Sequence, residues 1–243
     1  MIHSNAILGI IPKGSGNGLA RELHIPMDVK RAIDLIAKGH VTTIDCCRAN
    51  GQVFFCTCGV GFDAAVSQKF ANEKRRGSLT YIKNTIEEYL SYKPEPYELV
   101  VDNQTIKEKA FLVACANASQ YGNNAFIAPH ANIQDGRMDV TILSPFMPLD
   151  IAPLAIQLFT KQIDRNSKIK TMKAQQVTII RQHPGVMHLD GEPIVADRRI
   201  DITVEPKALH VLTPEVVSFT KEVHNLFDEV TRFFDKKLPY IFK

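Results

Sequence analysis

The sequence predicts an α/β plus mainly antiparallel β protein that ends in a helix. Three observations carry this. A short apolar run near the start is closed by proline and a glycine cluster and leads into two helical patterns. Nine short β-rich segments follow, separated by Asn-Gly and Asp-Gly pairs. The last stretch holds one apolar stripe at helical spacing.

The elements follow in order. Ala6–Ile11 is apolar and bounded by Pro12, which suits a buried strand of a parallel sheet. Asn17–Leu23 and Asp28–Lys38 read as helices. In the second, Asp28 is the N-cap, Val29, Ala32, Ile33, Ile36 and Ala37 share one apolar face, and Gly39 is the C-cap. From Val41 the texture turns to strands: Val41–Cys47, Gln52–Cys58, Tyr97–Val101, Thr105–Ala116, Met138–Leu143, Gln176–Arg181, Val186–Leu189, Ile200–Val204 and Ala208–Leu212. Asn50-Gly51, Asp102-Asn103, Asp135-Gly136 and Asp190-Gly191 supply residues that tolerate the positive φ of hairpin turns. Helices are expected at Ser78–Tyr92 and Pro148–Lys161. A final helix from Val216 to Phe234 carries Phe219, Phe227 and Phe233 on its stripe, with Lys221, Arg232, Lys236, Lys237 and Lys243 near it. Such a helix either packs on its own protein or lies in a membrane interface.

Composition bounds the function. Of 243 residues, 45% are hydrophobic and 23% charged, which excludes disordered, collagen-like and coiled-coil chains. The 29 Lys+Arg against 26 Asp+Glu leave a net charge of +3, too mild to indicate nucleic acid and compatible with an anionic membrane surface. No apolar run approaches the ~20 residues of a spanning helix, and MIHSNAILGIIPKG lacks the basic and long apolar regions of a signal peptide. A cytoplasmic protein is expected. Cys46, Cys47, Cys56, Cys58 and Cys115 form neither a CxxC pair nor a zinc-ligand comb, so they read as reduced, buried thiols.

Lys13-Gly14-Ser15-Gly16-Asn17-Gly18 lies between a strand and a helix. Glycines admit close approach of an anion, and helix N-termini offer free N–H groups. The spacing matches neither the P-loop nor the G-x-G-x-x-G fingerprint. On spacing alone, a phosphate site and a tight turn without ligand both stand.

The residue string is more specific. Pro12-x-Gly14-Ser15-Gly16-Asn17-x-Leu19-Ala20-Arg21 resembles a signature of the diacylglycerol kinase catalytic domain family, which also contains sphingosine kinases and bacterial soluble lipid kinases. The Gly-Ser-Gly-Asn form is closer to the sphingosine kinase variant. Three further stretches match in order: Gly59-Val60-Gly61-Phe62-Asp63-Ala64; Asn117 with Tyr121-Gly122, then Pro129-x-Ala131 and Asp135-Gly136-x-x-Asp139; and Leu189-Asp190-Gly191-Glu192. Four collinear motifs span residues 10 to 213.

The resemblance implies a partial nucleotide-binding α/β domain, residues 1–42, followed by a β-sandwich-like domain, residues 43–213. The C-terminal helix, residues 214–243, would pack back on the first. It implies ATP and Mg²⁺ as cofactors, a membrane lipid as substrate and peripheral membrane contact. Gly14, Ser15, Gly16 and Asn17 would line the nucleotide site. Glu192 would be the catalytic base, with Asp190 as second choice, deprotonating a lipid hydroxyl that attacks the γ-phosphate. A plain hairpin turn is the alternative for Asp190-Gly191. Asp63 would meet the lipid head group or cap a helix. Asp135 would hold a structural Mg²⁺ with the carbonyls of Asn132 and Arg137.

The sequence departs from the family at one point. It contains no Gly-Gly-Asp-Gly, the family's main phosphate cradle, and only five residues precede the first strand, so the chain is expected to begin inside the nucleotide domain. An exposed first strand would then favour self-association into a homo-oligomer. The functional reading is an ATP-dependent lipid kinase of diacylglycerol or a sphingoid base. The alternative is a non-catalytic lipid- or partner-binding module; a nicotinamide nucleotide kinase is disfavoured by the Leu-Asp-Gly-Glu motif.

Overall fold

Hairpin turns and one long strand organise the molecule. The computed structural model describes residues 1–71 and 92–215. The expected helices at 78–92 (apart from Tyr92 itself) and 216–234 lie outside the described residues.

The elements are β1 (Ile7–Leu8), α1 (Gly18–Glu22), α2 (Val29–Lys38), β2 (His40–Ala49), β3 (Gln52–Phe54), β4 (Thr57–Gly61), α3 (Phe62–Ala71), β5 (Glu95–Val101), β6 (Gln104–Ala110), β7 (Leu112–Ala116), β8 (Met138–Leu143), α4 (Ile151–Phe159), β9 (Ile169–Ala174), β10 (Gln176–Arg181), β11 (Gly185–Leu189), β12 (Glu192–Ala196) and β13 (Arg199–Thr213). They form two sheets, ordered β3-β2-β13-β10-β5-β6 and β12-β11-β4-β7-β8-β9, with β1 added to β13 in parallel. All other pairings are antiparallel. Residues Met1–Thr213 make one compact unit.

The core lies between the sheets. Phe54, Leu99, Ile179, Ile200 and Ile202 from the first sheet meet Val60, Val113, Met138, Val140, Ile142 and Met187 from the second. Every residue of β8 is buried, because its other face is covered by the cluster containing Ile127, Leu154 and Ile163. The five cysteines are free and buried, as their apolar neighbours predict, and burial pushes the Cys46 thiol up to about 12.

Turn chemistry matches the sequence. Asn50 and Gly51 have φ of 46° and 84°, and Asp190 and Gly191 have 50° and 88°, joining β2 to β3 and β11 to β12. Asp28 caps α2 by accepting the Arg31 N–H, and the Gly39 N–H closes the far end on the Leu35 carbonyl.

Several expectations are corrected. Gln52–Cys58 is not one strand: β3 belongs to the first sheet and β4 to the second. Thr105–Ala116 likewise breaks at Phe111, where β6 passes to β7 across the sandwich. Apolar runs show burial but not which sheet receives them. Conversely, Ile200–Val204 and Ala208–Leu212 are one strand, β13, with a bulge between Glu205 and Leu209. β12 was not expected because Pro193 sits in it, and the sheet edge tolerates this. α3 and β9 also lacked a clear pattern. The first strand is shorter than Ala6–Ile11 and not buried, with Ile7 48% and Ile11 43% exposed. On α2 only Ala32 is buried, while Ile33 and Ile36 of the expected apolar face are exposed.

The bulge is held by charge. Buried Asp45 on β2 accepts the Lys207 N–H at 2.7 Å, and the Glu205 carboxylate accepts Arg48 Nε at 2.7 Å. The hydrogen bond from Arg48 holds the Glu205 carboxyl down from 4.5 to about 2. A depressed carboxyl contributes stability above its unfolded value, so this contribution is lost as pH falls from 4.5 toward about 2. We expect Glu205→Gln to be less stable than wild type at neutral pH and to lose less stability across that acid window, as checked by urea unfolding at a series of pH values.

Candidate functional site

The glycine turn follows β1 and packs edge-on against the segment after β7. Asn17 has a left-handed backbone, φ 51°, and its side-chain amide closes on Gly14 in both directions: Oδ1 accepts the Gly14 N–H and Nδ2 donates to the Gly14 carbonyl, each at 2.9 Å. The Gly16 carbonyl accepts Arg21 Nε and the Asn123 N–H. Gly122, at φ 121°, lies so close that a Cβ there would stand 2.8 Å from the Gly16 carbonyl oxygen. The glycines therefore serve backbone-to-backbone approach between two turns, a reason that spacing did not reveal.

Together these turns open a cleft of about 400 Å³ lined by Lys13, Gly14, Asn17, Tyr121, Phe55 and Asp190 among others. Of the residues expected to bind nucleotide, Gly14 and Asn17 line it; Ser15 and Gly16 sit beside it in the same turn.

Asp190 forms the opposite wall. Its carboxylate accepts three successive backbone N–H groups, from Phe55 at 2.9 Å, Cys56 at 2.7 Å and Thr57 at 3.0 Å. These residues bridge β3 and β4, so the carboxylate clamps the crossover between sheets to the β11–β12 turn. Burial pushes the Asp190 carboxyl up, and the three N–H bonds oppose that. Its oxygens are occupied by the scaffold. Glu192, two residues on, is exposed, and its side chain carries no hydrogen bond or ion pair among the described residues.

Asp63 lies in the first turn of α3, 10% exposed, with Oδ1 accepting its neighbour's N–H, that of Ala64. Oδ2 accepts the Tyr121 hydroxyl at 3.0 Å and lies 3.1 Å from His188 Nε2. The Gly191 N–H points at His188 Nδ1 from 3.4 Å, which leaves the ring proton on Nε2, directed at Asp63. A partly buried chain of hydrogen bonds thus runs from the Asp190–Gly191 turn through His188 and Asp63 to Tyr121 in the cleft wall. His188 and Tyr121 were missed as partners of Asp63, although Tyr121 stands in the motif with Asn117 and Gly122 and His188 directly precedes the Leu-Asp-Gly-Glu string.

The expected metal ligands lie apart from the cleft. Asp135 Oδ1 accepts the Arg137 N–H, and its Oδ2 lies 2.8 Å from Lys173 Nζ. The Asn132 carbonyl accepts the Asp135 N–H. Among the described residues no group of three or more His, Cys, Asp or Glu side chains could hold a metal ion. No helix of the described residues is long and apolar enough to cross a membrane.

Comparison with known proteins adds to this geometry. Residues 2–49 match a family model described as the diacylglycerol kinase catalytic domain. Residues 56–213 match one described as the YegS C-terminal NAD kinase beta sandwich-like domain. A diacylglycerol kinase of Mycobacterium tuberculosis is 31% identical over 220 residues, covering 85% of this chain and 69% of that protein. A probable lipid kinase YegS-like of Pectobacterium atrosepticum is 27% identical over 211 residues, with coverage of 85% and 69%. The crystal structure of a putative diacylglycerol kinase from Bacillus anthracis superposes with a TM-score of 0.68 at 22% identity, over 87% of this chain and 70% of that one, a likeness of fold.

Gly59 tests the Asp63–His188 network. A Cβ on it would stand 2.2 Å from Asp63 Oδ2 and 2.8 Å from His188 Nε2, so the two side chains can meet only across a glycine. Gly59→Ala is expected to part them and cost about 1–3 kcal/mol in urea unfolding, the range for overpacking a filled core.

Proposed function

Because the chain belongs to the diacylglycerol kinase catalytic domain family, we propose that it serves ATP-dependent phosphorylation of a lipid hydroxyl, on diacylglycerol or a sphingoid base, at a membrane surface. The observation that carries this reading is the cleft between the glycine turn and the Asp190 clamp, with the exposed carboxylate of Glu192, unpaired among the described residues, two residues from the clamp. In this reading ATP arrives as its Mg²⁺ complex, with its phosphates toward residues Gly14–Asn17. The lipid hydroxyl oxygen attacks the γ-phosphorus, its bond to the β–γ bridging oxygen breaks, ADP leaves, and the hydroxyl proton passes to Glu192. Asp190 acts as a scaffold that fixes the turn presenting Glu192.

The mild positive charge fits a protein that visits an anionic surface. Nothing in the composition calls for nucleic acid.

One observation favours a second reading, a non-catalytic lipid-binding module: the 243 residues contain no Gly-Gly-Asp-Gly. Backbone donors on the transferred phosphate carry much of the electrostatic work of such chemistry. The two readings separate in one experiment, phosphate transfer from ATP to diacylglycerol and to sphingosine in mixed vesicles. It is run with this chain and with one extended upstream by any in-frame codons.

The kinase reading predicts transfer to one of the two lipids and a loss of about 10²–10⁴-fold on Glu192→Gln with the thermal midpoint unchanged. Vesicle binding that ignores ATP, with no transfer by either chain, supports the module instead. Transfer by Glu192→Gln at the wild-type rate removes Glu192 from its role.

A further inference from the structure

The turn at residues 132–137 contains a cation of its own. Lys173 on β9 is the cross-strand partner of Asp139 on β8, so their side chains leave the sheet on the same face. The ammonium lies 2.9 Å from Asp139 Oδ2, 2.8 Å from Asp135 Oδ2 and 3.5 Å from the His130 carbonyl. The Asp139 side chain is 9% exposed and that of Lys173 34%, so the cluster is largely withdrawn from water on one side.

The Asp135 carboxylate and the Asn132 carbonyl, two of the groups that the family resemblance offers to Mg²⁺, therefore already have partners. Asp135 places one oxygen on Lys173 and the other on the Arg137 N–H, and the Asn132 carbonyl accepts the Asp135 N–H. A magnesium ion demands near-octahedral oxygen ligands at about 2.1 Å and gives up its waters reluctantly. Bound at Asp135 it would stand within a few ångströms of the Lys173 ammonium, and two like charges that close repel strongly in partly dry surroundings. The residues present do not fit the ion.

We propose that Lys173 is the internal cation of this turn, replacing a structural Mg²⁺ and making the fold of residues 132–137 independent of divalent metal. What the turn positions follows from its other bonds. The Gly136 N–H donates to Asp45 Oδ2 at 2.7 Å, and Asp45 Oδ1 holds the Lys207 N–H of the β13 bulge. The Asp45 N–H donates to the Ile133 carbonyl, and the Asp45 carbonyl accepts Asn117 Nδ2. Lys173 thus acts as a positioning residue: it pins one end of the 117–137 segment, which carries Tyr121 into the cleft wall.

The test is thermal unfolding of the full chain with EDTA or with magnesium chloride, no nucleotide or lipid being present, so its outcome does not depend on the kinase reading. The wild type is expected to unfold at the same temperature in both and to give no heat of binding on calorimetric titration with magnesium chloride. Lys173→Met should unfold several degrees lower in EDTA and recover part of the loss in magnesium, because Asp135 and Asp139 are freed for the ion. Lys173→Arg should behave as wild type. A wild-type midpoint that rises with magnesium or drops in EDTA overturns the proposal, even if Lys173→Met does not fold. A folded Lys173→Met with no response to magnesium and no loss in EDTA overturns it as well.

Discussion

Three consecutive amide groups converging on one carboxylate set the geometry of the candidate site. Where the chain leaves the first sheet at Phe54 and enters the second at Thr57, the backbone turns away from both ladders, and its N–H groups need partners. Asp190 provides them from a hairpin turn more than one hundred residues later in the chain. Losing the bonds at Cys56 and Thr57 would leave donors of buried residues unpaired, at about 1–3 kcal/mol each. The same turn gives its Gly191 N–H to His188, so the crossover, the hairpin and the Asp63–Tyr121 pair form one connected unit around the cleft.

This connection divides two tasks between the two acids of one turn. Asp190 is saturated with backbone donors; the Glu192 side chain is exposed and unpaired among the described residues. A base that must take a proton needs a free lone pair and freedom to approach substrate, whereas a scaffold needs the opposite. On the far side of the second sheet, Lys173 plays for the 132–137 turn the part that Asp190 plays for the crossover: a charge placed where backbone and carboxylates would otherwise lack a partner.

Much of the fold was legible because local chemistry decides it. The bounds of β8 and β10, the Asp28 cap and the paired turn residues Asn50-Gly51 and Asp190-Gly191 follow from alternation, capping and tolerance of positive φ. The passage between sheets at Phe111, and at Phe55–Cys56, was not legible, since a continuous apolar run looks alike whether one sheet or two receive it. Of the site, the residue strings were readable but their bonds were not. Sequence placed Asp190 and Glu192 side by side as rival bases; only the fold assigns the three amides to Asp190. The glycines of Gly14–Gly18 suggested an anion, yet Gly122 presses on Gly16 backbone to backbone. Lys173 gave no signal, because its partnership with Asp139 depends on strand register.

Asp190 is a scaffold, and the Glu192 side chain carries no partner among the described residues. Amide hydrogen exchange measured at Phe55, Cys56 and Thr57 tests this division directly. Strong protection of all three amides is expected in the wild type, unchanged in Glu192→Gln and lost in Asp190→Ala while the β8 amides stay protected. Rapid exchange of these amides in the wild type, or their loss of protection in Glu192→Gln, would contradict it.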